Sequence, residues 1–473
     1  MNLSYNIIIE SGLIFIILFS PLAYGSVEVW SITIIEVTIL LMAVTWIVKE
    51  IVYLHTPTII TPVTLLFLFF IIIVLFQMIP LPHSIMKVIS PARYRLYIDN
   101  ITNYSIPNTW QTLTIYTHAT KQELIKLICF FSLFLLIINH IKSRRQIYLI
   151  MTTIVISGFM IAFFGIIQHY TWNGHIYWFR KLTYSGSPFG PYVNKNHFAG
   201  YMEMAIPLGI GLLLKQGMKN PFPQTIEWRQ IIRWLEKKES NISILLLFAL
   251  IIMISALFLS LSRGGIIGFL ISMFFLTAIL TRKRYYKRYT WGIIFSMLFL
   301  MIISLSWFGI DPLIDRFAML KDGIFRERLP IWKDTFGIIR DYPLFGTGLA
   351  TFEYIFPEYR ASYSIIKFSH PENEYIQILS ETGIIGTIII ILVNYTFFKE
   401  TLSLLRTKMS RSDMRDYMIV LSGFTSYIAI IVHSFADFNL HIPANALLFT
   451  IIISMTYSII ISRESRRYQI REQ

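Results

Sequence analysis

Long apolar runs alternate with shorter polar stretches along almost the whole chain. Twelve runs, at 7–24, 29–48, 59–79, 122–141, 147–169, 197–214, 241–261, 265–281, 290–309, 377–398, 416–436 and 442–461, stand out. Each approaches the roughly 20 residues that a helix needs to cross the hydrocarbon of a bilayer. The pattern predicts an all-α integral membrane protein of about twelve transmembrane helices. The first run has no basic segment before it and no convincing cleavage site before Ser26, so it reads as a retained helix rather than a signal peptide.

Three polar segments are long enough to fold on their own account: 82–121, 171–196 and, between helices 9 and 10, 310–376. Within the last, Arg328–Arg340 is amphipathic, with Trp332, Phe336 and Ile339 on one face. Such a helix suits a position along the membrane surface, roofing a cavity. Gly346 and Gly348 then break the chain before the aromatic run Phe352–Tyr359. No internal repeat is visible, so the expected organisation is a single membrane domain over 1–473, with 310–376 capping the site.

Composition narrows this further. Of 473 residues 55% are hydrophobic and 14% charged, and the mean hydropathy is +0.60. A soluble chain has about a quarter of its residues charged, so a water-soluble core is excluded. Cys129 is the only cysteine, which rules out an intrachain disulfide and any metal site built on cysteines. The net charge of +14 is distributed unevenly. One set of alternate loops holds 24 Lys and Arg, mostly in short segments, and the other holds 16 in longer ones. Positive charge collects on the cytoplasmic side, so both termini are expected inside and the three long loops outside. That bias accounts for the basic total, and with no nucleic-acid-binding motif present, nucleic acid is not an expected partner.

The candidate chemistry lies in the outer segments. Arg263, in Ser260-Leu-Ser-Arg-Gly-Gly, occupies a tight turn between helices 7 and 8, where it either snorkels to the interface or offers a guanidinium fork to a phosphate. Arg326 and Arg328 form a charge cluster that, together with Arg263, could neutralise a diphosphate. Ser369-His-Pro-Glu-Asn-Glu-Tyr-Ile-Gln gathers His370, Glu372 and Asn373 at the start of helix 10. A carboxylate or imidazole here is a candidate general base, and Asn373 or Ser369 is equally suited to cap the helix. Gly383 and Gly386 read as close-packing positions.

Asn194, Lys195, Asn196 and His197 open helix 6 with donors suited to phosphate or sugar oxygens, or with caps and a polar turn. Glu203 lies within two turns below them, where a carboxylate needs a partner; one of these groups or an arginine is expected. His433 and Asp437 are four apart and share a face if helix 11 continues, and Asp437 either serves the site or anchors the outer turn. HExxH, DxD and phosphate-loop motifs are absent, which argues against a metal site and against ATP-driven chemistry.

The run of motifs Asn194-Lys-Asn-His-Phe-Ala-Gly, Ser262-Arg-Gly-Gly, Arg328-Leu-Pro-Ile-Trp, Pro343-Leu-Phe-Gly-Thr-Gly and Glu372-Asn-Glu-Tyr-Ile-Gln resembles the O-antigen ligase and polymerase superfamily, over roughly 185–445. Pro80-Leu-Pro and Ser90-Pro add weak support from the amino-terminal third. The resemblance implies a GT-C-like bundle in the bacterial cytoplasmic membrane. It further implies transfer of a glycan from undecaprenyl diphosphate, on the extracytoplasmic side, to a hydroxyl of lipid A core, another glycan or protein. By the same resemblance the reaction is inverting and independent of metals or other cofactors, and Arg263 and Arg328 match the family arginines that hold the diphosphate. The ligase pattern places a histidine directly before asparagine, nine residues ahead of Gly-x-x-Gly. Here Glu372 stands in that place, with His370 two residues earlier, so the expected base is Glu372 or else His370.

The sequence therefore predicts an arginine clamp on the diphosphate and a Glu or His base. Asn194, Lys195, Asn196, His197, Glu203, Arg326, Asn373 and Asp437 are expected in binding roles, with helices 6–10 forming a lateral groove for the polyprenyl chain. The rival class is a flippase for lipid-linked sugars. It expects polar groups near the bilayer midplane, whereas these clusters collect at one face.

Overall fold

The computed structural model describes residues 2–54, 58–104, 110–181, 187–221, 223, 227–282, 324–361, 367–407 and 414–472. The chain is an all-α, multi-pass integral membrane protein, and among the described residues ten helices are long and apolar enough to cross a bilayer. The first seven helices are α1 (Asn2–Leu22), α2 (Val29–Lys49), α3 (Pro62–Gln77), α4 (His83–Ile89), α5 (Pro91–Tyr104), α6 (Thr117–His140) and α7 (Arg144–Tyr170). Next come α8 (Lys195–Lys219), α9 (Trp228–Leu235), α10 (Lys238–Leu259), α11 (Arg263–Thr281) and α12 (Ile324–Asp341). The last four are α13 (Phe352–Tyr359), α14 (Glu374–Arg406), α15 (Met414–His433) and α16 (Pro443–Glu472). Two antiparallel pairs of two-residue strands, β1 (Pro80–Leu81) with β2 (Gln111–Thr112) and β3 (His175–Ile176) with β4 (Arg180–Lys181), pin the loops at one end.

Ten expected spans correspond to α1, α2, α6, α7, α8, α10, α11, α14, α15 and α16. The expected third span is α3, which at 16 residues is shorter than the sequence pattern suggested. The expected ninth span, 290–309, and the opening of the expected cap, 310–323, lie outside the described residues.

Several helices begin where side chains replace missing backbone acceptors. Ser143 and Gln146 form a reciprocal capping box on α7, and Thr61, Asn194, Ser262 and Asn373 cap α3, α8, α11 and α14. α8 is the centre of the bundle: 94% of its membrane-crossing stretch is buried in protein, against 22% for α2. It packs against α7, α10, α11, α15 and α16. Small residues allow this. Methyl groups added at Gly200, Gly209 and Gly211 would meet Asn439, Leu250 and Ser422 within 2.8 Å. At one end of the bundle Arg144 grips Asp416 through two hydrogen bonds of 2.6 and 2.9 Å, tying α7 to α15.

The opposite end carries a second layer. α12 and α13 bury Ile331, Ile338, Tyr342, Phe352, Ile355 and Phe356 together with Ala92 of α5, so the segments around 82–121 and 324–361 share one small core. The face of α12 in this core is not the apolar one of Trp332, Phe336 and Ile339. Its buried stripe is Ile331, Thr335 and Ile338, at helical spacing, while Phe336 is 54% exposed. Trp332 lies between the two faces and donates its indole N–H to Pro371 O at 2.8 Å.

The second layer is locked to the bundle through a break in α14. Gly383 adopts φ +63° and ψ −168°, a region open to glycine and closed to residues with a Cβ. It does more than permit close packing, because it interrupts the helical ladder. The amides left over, Ile384 N and Ile385 N, donate to Pro343 O and Leu344 O at 2.8 and 3.3 Å. The freed carbonyls of Ser380 and Glu381 accept from Thr347 N and Gly348 N at 3.0 and 2.9 Å. Gln77, at the end of α3, completes the joint by donating to Phe345 O and Glu381 O and accepting from Leu349 N. The Pro-Leu-Phe-Gly-Thr-Gly segment thus supplies the hydrogen bonds that the broken helix lacks.

The two backbones touch. A methyl at Gly383 would lie 2.3 Å from Leu344 O, and one at Gly346 would lie 2.3 Å from the Glu381 carbonyl carbon. Gly383→Ala is expected to destabilise the detergent-purified protein by about 3 kcal/mol or more, combining backbone strain with a clash that neither backbone can relieve. Gly174→Ala, at φ +90° with nothing within 4 Å of the added methyl, is expected to cost only about 1 kcal/mol. Thermal unfolding midpoints that fall equally in the two variants would contradict this account of the joint.

Candidate functional site

Four of the polar clusters marked in the sequence meet at the end of the bundle where the second layer sits. The amino terminus of α8 supplies His197, the start of α11 supplies Arg263, α12 supplies Arg328, and residues 369–374 face the turn 434–442 that leaves α15.

Three successive carbonyls of that turn organise the site. Ser434 O accepts from Glu374 N at 3.1 Å, and Phe435 O accepts from Asn373 Nδ2 at 3.0 Å. Ala436 O accepts from Arg328 Nη1. Asn373 is fully engaged, because its Oδ1 also accepts from Tyr375 N and Ile376 N as the cap of α14. Glu374 turns the other way and receives Leu440 N, with His441 Nδ1 at 2.9 Å. The proximity of Glu374 outweighs burial and raises the His441 imidazole to about 9, so it is a cation at neutral pH.

Arg328 uses its other nitrogen, Nη2, to reach Glu372 Oε2 at 3.1 Å. Glu372 sits at φ +57°, an uncommon conformation for a residue with a side chain, and the turn before Arg263 contains another in Leu261 at φ +52°. Backbone strain of this kind persists where surrounding contacts impose it. The Glu372 carboxyl remains 29% exposed. Burial, and then the nearby Asp437 carboxylate, push its pKa up to about 7 against the opposing pull of Arg328.

Asp437 is completely buried at the centre. One oxygen accepts from Phe438 N at 2.7 Å and lies 3.3 Å from His197 Nε2, and the other has no hydrogen-bond partner among the described residues. Burial opposes its ionisation, yet His197, His433 and Arg328 outweigh that and hold the carboxyl well below the usual range. It therefore anchors the turn and contributes charge to the site at once.

Beneath this layer Glu203 meets His433 Nδ1 at 3.0 Å, both fully buried. The expected partner was an arginine or a group at the start of α8, and the fold supplies a histidine from α15 instead. That helix ends at His433 rather than continuing to Asp437. Gly264 and Gly268 let α11 press against this pair: added methyls would lie 2.6 Å from His433 Nε2 and 2.7 Å from Glu203 Oε2. Arg263 is thereby set at the first turn of a helix whose glycines touch the Glu203–His433 pair.

His370 occupies a different wall. Its ring stacks on Phe438 at 4.1 Å and its Nδ1 lies 3.0 Å from Gln377 Oε1. Burial and the nearby His441 cation depress it to about 3, so it is neutral. Asn194 caps α8 by accepting from Asn196 N at 2.9 Å, and Lys195 N donates to Ser187 O. Arg326 lies on the first turn of α12, with its side chain outside the described residues.

A lateral apolar groove of about 480 Å³ opens beside the site between α14 and α15, from Tyr375 down to Phe398. It lies between spans ten and eleven. Sequence reasoning also passed over Gln77 and Glu381. Glu381 is buried and accepts from Ala350 N and Phe352 N, capping α13. For Gln77 the signal was available: a lone polar side chain inside an apolar run asks for a partner.

Fold and site define a membrane protein with a charged, partly open centre at one end of a helical bundle. Residues 248–391 match the family model described as O-antigen ligase, which bears out the resemblance to the O-antigen ligase and polymerase superfamily and supports a function of that type. The matched segment contains Arg263, Arg328, His370 and Glu372; His197, Glu203 and Asp437 join them only through the fold. Comparison with curated proteins gives no match.

Asp437→Asn is expected to lower stability by about 3 kcal/mol, since it removes the buried carboxylate that faces His197, His433 and Arg328. Thermal unfolding in detergent measures this, and an unchanged midpoint would show that Asp437 is not the charge on which the turn depends.

Proposed function

We propose that the protein is an extracytoplasmic glycosyltransferase of cell-surface polysaccharide assembly. It moves a glycan from undecaprenyl diphosphate to an acceptor hydroxyl on lipid A core, on another glycan or on protein. The observation that carries this reading is the pairing of Arg328 with a partly buried Glu372 whose carboxyl is pushed up to about 7, three residues before Tyr375 of the apolar groove. The O-antigen ligase match supports the class of reaction. We place the site outside the bacterial cytoplasmic membrane because the opposite end holds the shorter, Lys- and Arg-rich loops. The described parts of segment 310–376, residues 324–361 and 367–376, then serve as its cap.

In this mechanism Arg263 and Arg328 hold the diphosphate and stabilise the charge that grows on it as the glycosidic bond breaks. Glu372 accepts the proton of the attacking hydroxyl. Protonation of Glu372 weakens its hold on Arg328, which frees the guanidinium to follow the leaving diphosphate. Glu372 fits this role better than His370, whose ring is stacked and engaged by Gln377. His197 and Asp437 orient the donor, Asn194, Lys195 and Asn196 line its approach, and Asn373 and Glu203 act by holding the walls in place. The groove between α14 and α15 receives the polyprenyl chain. The arrangement supplies its positive charge through arginines and calls for no cofactor.

Purified protein given a defined undecaprenyl-diphosphate glycan is expected to release undecaprenyl diphosphate, as a product ladder without lipid A core or as a single addition with it. Arg263→Ala and Glu372→Gln are each expected to abolish release without loss of folded protein. Near-normal turnover in both variants would overturn the assignment. Movement of the intact lipid-linked glycan across a proteoliposome, with no release, would make the protein a transporter.

The pH dependence follows from the same carboxyl. A base works deprotonated, so transfer should rise as pH increases through about 7. In Arg328→Lys, which keeps the charge but loses the fork, the midpoint should move little while the rate falls at least tenfold, for one charge-stabilising contact misplaced. A flat profile from pH 6 to 8 would remove Glu372 from the role of base.

A further inference from the structure

At the end of the bundle opposite the charged centre, a cleft of about 220 Å³ separates the carboxyl-terminal turns of α11 and α14. Its wall is Ile279 from α11 with Leu402 and Leu405 from α14, and its floor is Tyr417 of α15, the helix that packs on both. Arg282 and Arg406 line the same cleft, one from each helix. Both side chains are exposed, and neither forms an ion pair among the described residues. Two other basic residues at this end are already engaged: Arg144 by Asp416, and Lys215 over the Tyr148 ring.

We propose that this cleft binds the phosphate of an anionic phospholipid from the leaflet at that end, between Arg282 and Arg406. Two guanidinium forks set across a narrow apolar cleft match a phosphodiester, which offers each of them acceptor oxygens. Charge complementarity alone would also admit a soluble phosphate, and the surroundings decide for a lipid. Leu402 and Leu405 continue, at helical spacing, the α14 stripe of Ile391, Asn394 and Phe398 that lines the apolar groove nearer the charged centre. The flank of α14 alongside is exposed and apolar, with Ile388 at 49%, Ile391 at 59% and Phe398 at 40%. An acyl chain leaving the cleft therefore finds a continuous apolar track, and basic clefts between helices at the positive end of membrane proteins suit anionic head groups. The site lies outside the proposed transfer machinery and does not depend on that reading.

The test is native mass spectrometry of the full-length protein in detergent, titrated with phosphatidylglycerol, phosphatidylcholine or glycerol 3-phosphate. The unmodified protein should retain phosphatidylglycerol in preference to phosphatidylcholine and should not retain glycerol 3-phosphate. Arg282→Ala with Arg406→Ala should weaken phosphatidylglycerol binding about thirtyfold, for the loss of two cations at the surface. Arg282→Lys with Arg406→Lys should keep most of the preference, and this pair serves as the comparison if the alanine variant fails to fold. Equal retention of phosphatidylglycerol by the alanine and unmodified proteins would overturn the proposal. Retention of glycerol 3-phosphate as strong as that of the lipid would also overturn it, in favour of a soluble anion.

Discussion

A helix that breaks inside an apolar protein leaves backbone amides and carbonyls that water cannot reach, and each costs several kcal/mol unless protein supplies a partner. Much of the architecture of this chain answers that constraint at Gly383. The backbone of Pro343–Gly348 enters the break and pairs with both sides of it, while Gln77 closes the remaining valences from α3. Because the inserted segment directly follows α12, the same joint that satisfies α14 also fixes α12, and with α12 the guanidinium of Arg328. Because the break lies one short helical stretch after Asn373, it equally fixes the loop that presents Glu372. The two groups that meet at 3.1 Å are held by one piece of backbone chemistry. The break is filled by backbone rather than left as a passage, which suits a site built at one face better than a pathway through the bundle.

The charges at this face form a graded set. The pair Glu203 and His433 is wholly buried, Asp437 is buried with one oxygen lacking a protein partner among the described residues, and Glu372 with Arg328 is only partly buried. Desolvation decreases from the first to the last. The deepest pair serves to hold α8, α11 and α15 together, and in the outermost pair burial and Asp437 push the Glu372 carboxyl up to about 7 against the pull of Arg328. Exposed ion pairs contribute little to stability, so the energetic weight of the site rests on its buried floor.

Much of this was legible in the chain. Apolar length reports crossing helices directly, because the bilayer sets how many residues a span needs, and ten of the expected spans lie close to where the pattern put them. Polar clusters at the ends of those spans marked the site, since charged groups near lipid require a reason to be there. What the pattern misjudged were quantities set by partners. The pattern marked Trp332, Phe336 and Ile339 as the apolar face of α12, and only the position of α5 shows that the small core takes Ile331 and Ile338. Glu203 was assigned to arginine or to the start of its own helix, and its partner proved to be His433, 230 positions away.

The residue types therefore determined that the chain crosses a membrane many times and that its candidate polar residues, arginines and carboxylates among them, gather at one end. Tertiary structure alone decided which carboxylate is accessible and which are consumed: Glu374 and Glu381 bind backbone amides, Glu203 is sealed beneath a histidine, and Glu372 stays open beside Arg328. Four glutamates of the same chemistry cannot be told apart by spacing. Their roles diverge because desolvation and hydrogen bonding depend on what the fold brings within about 3 Å of each, and that distance is a property of packing.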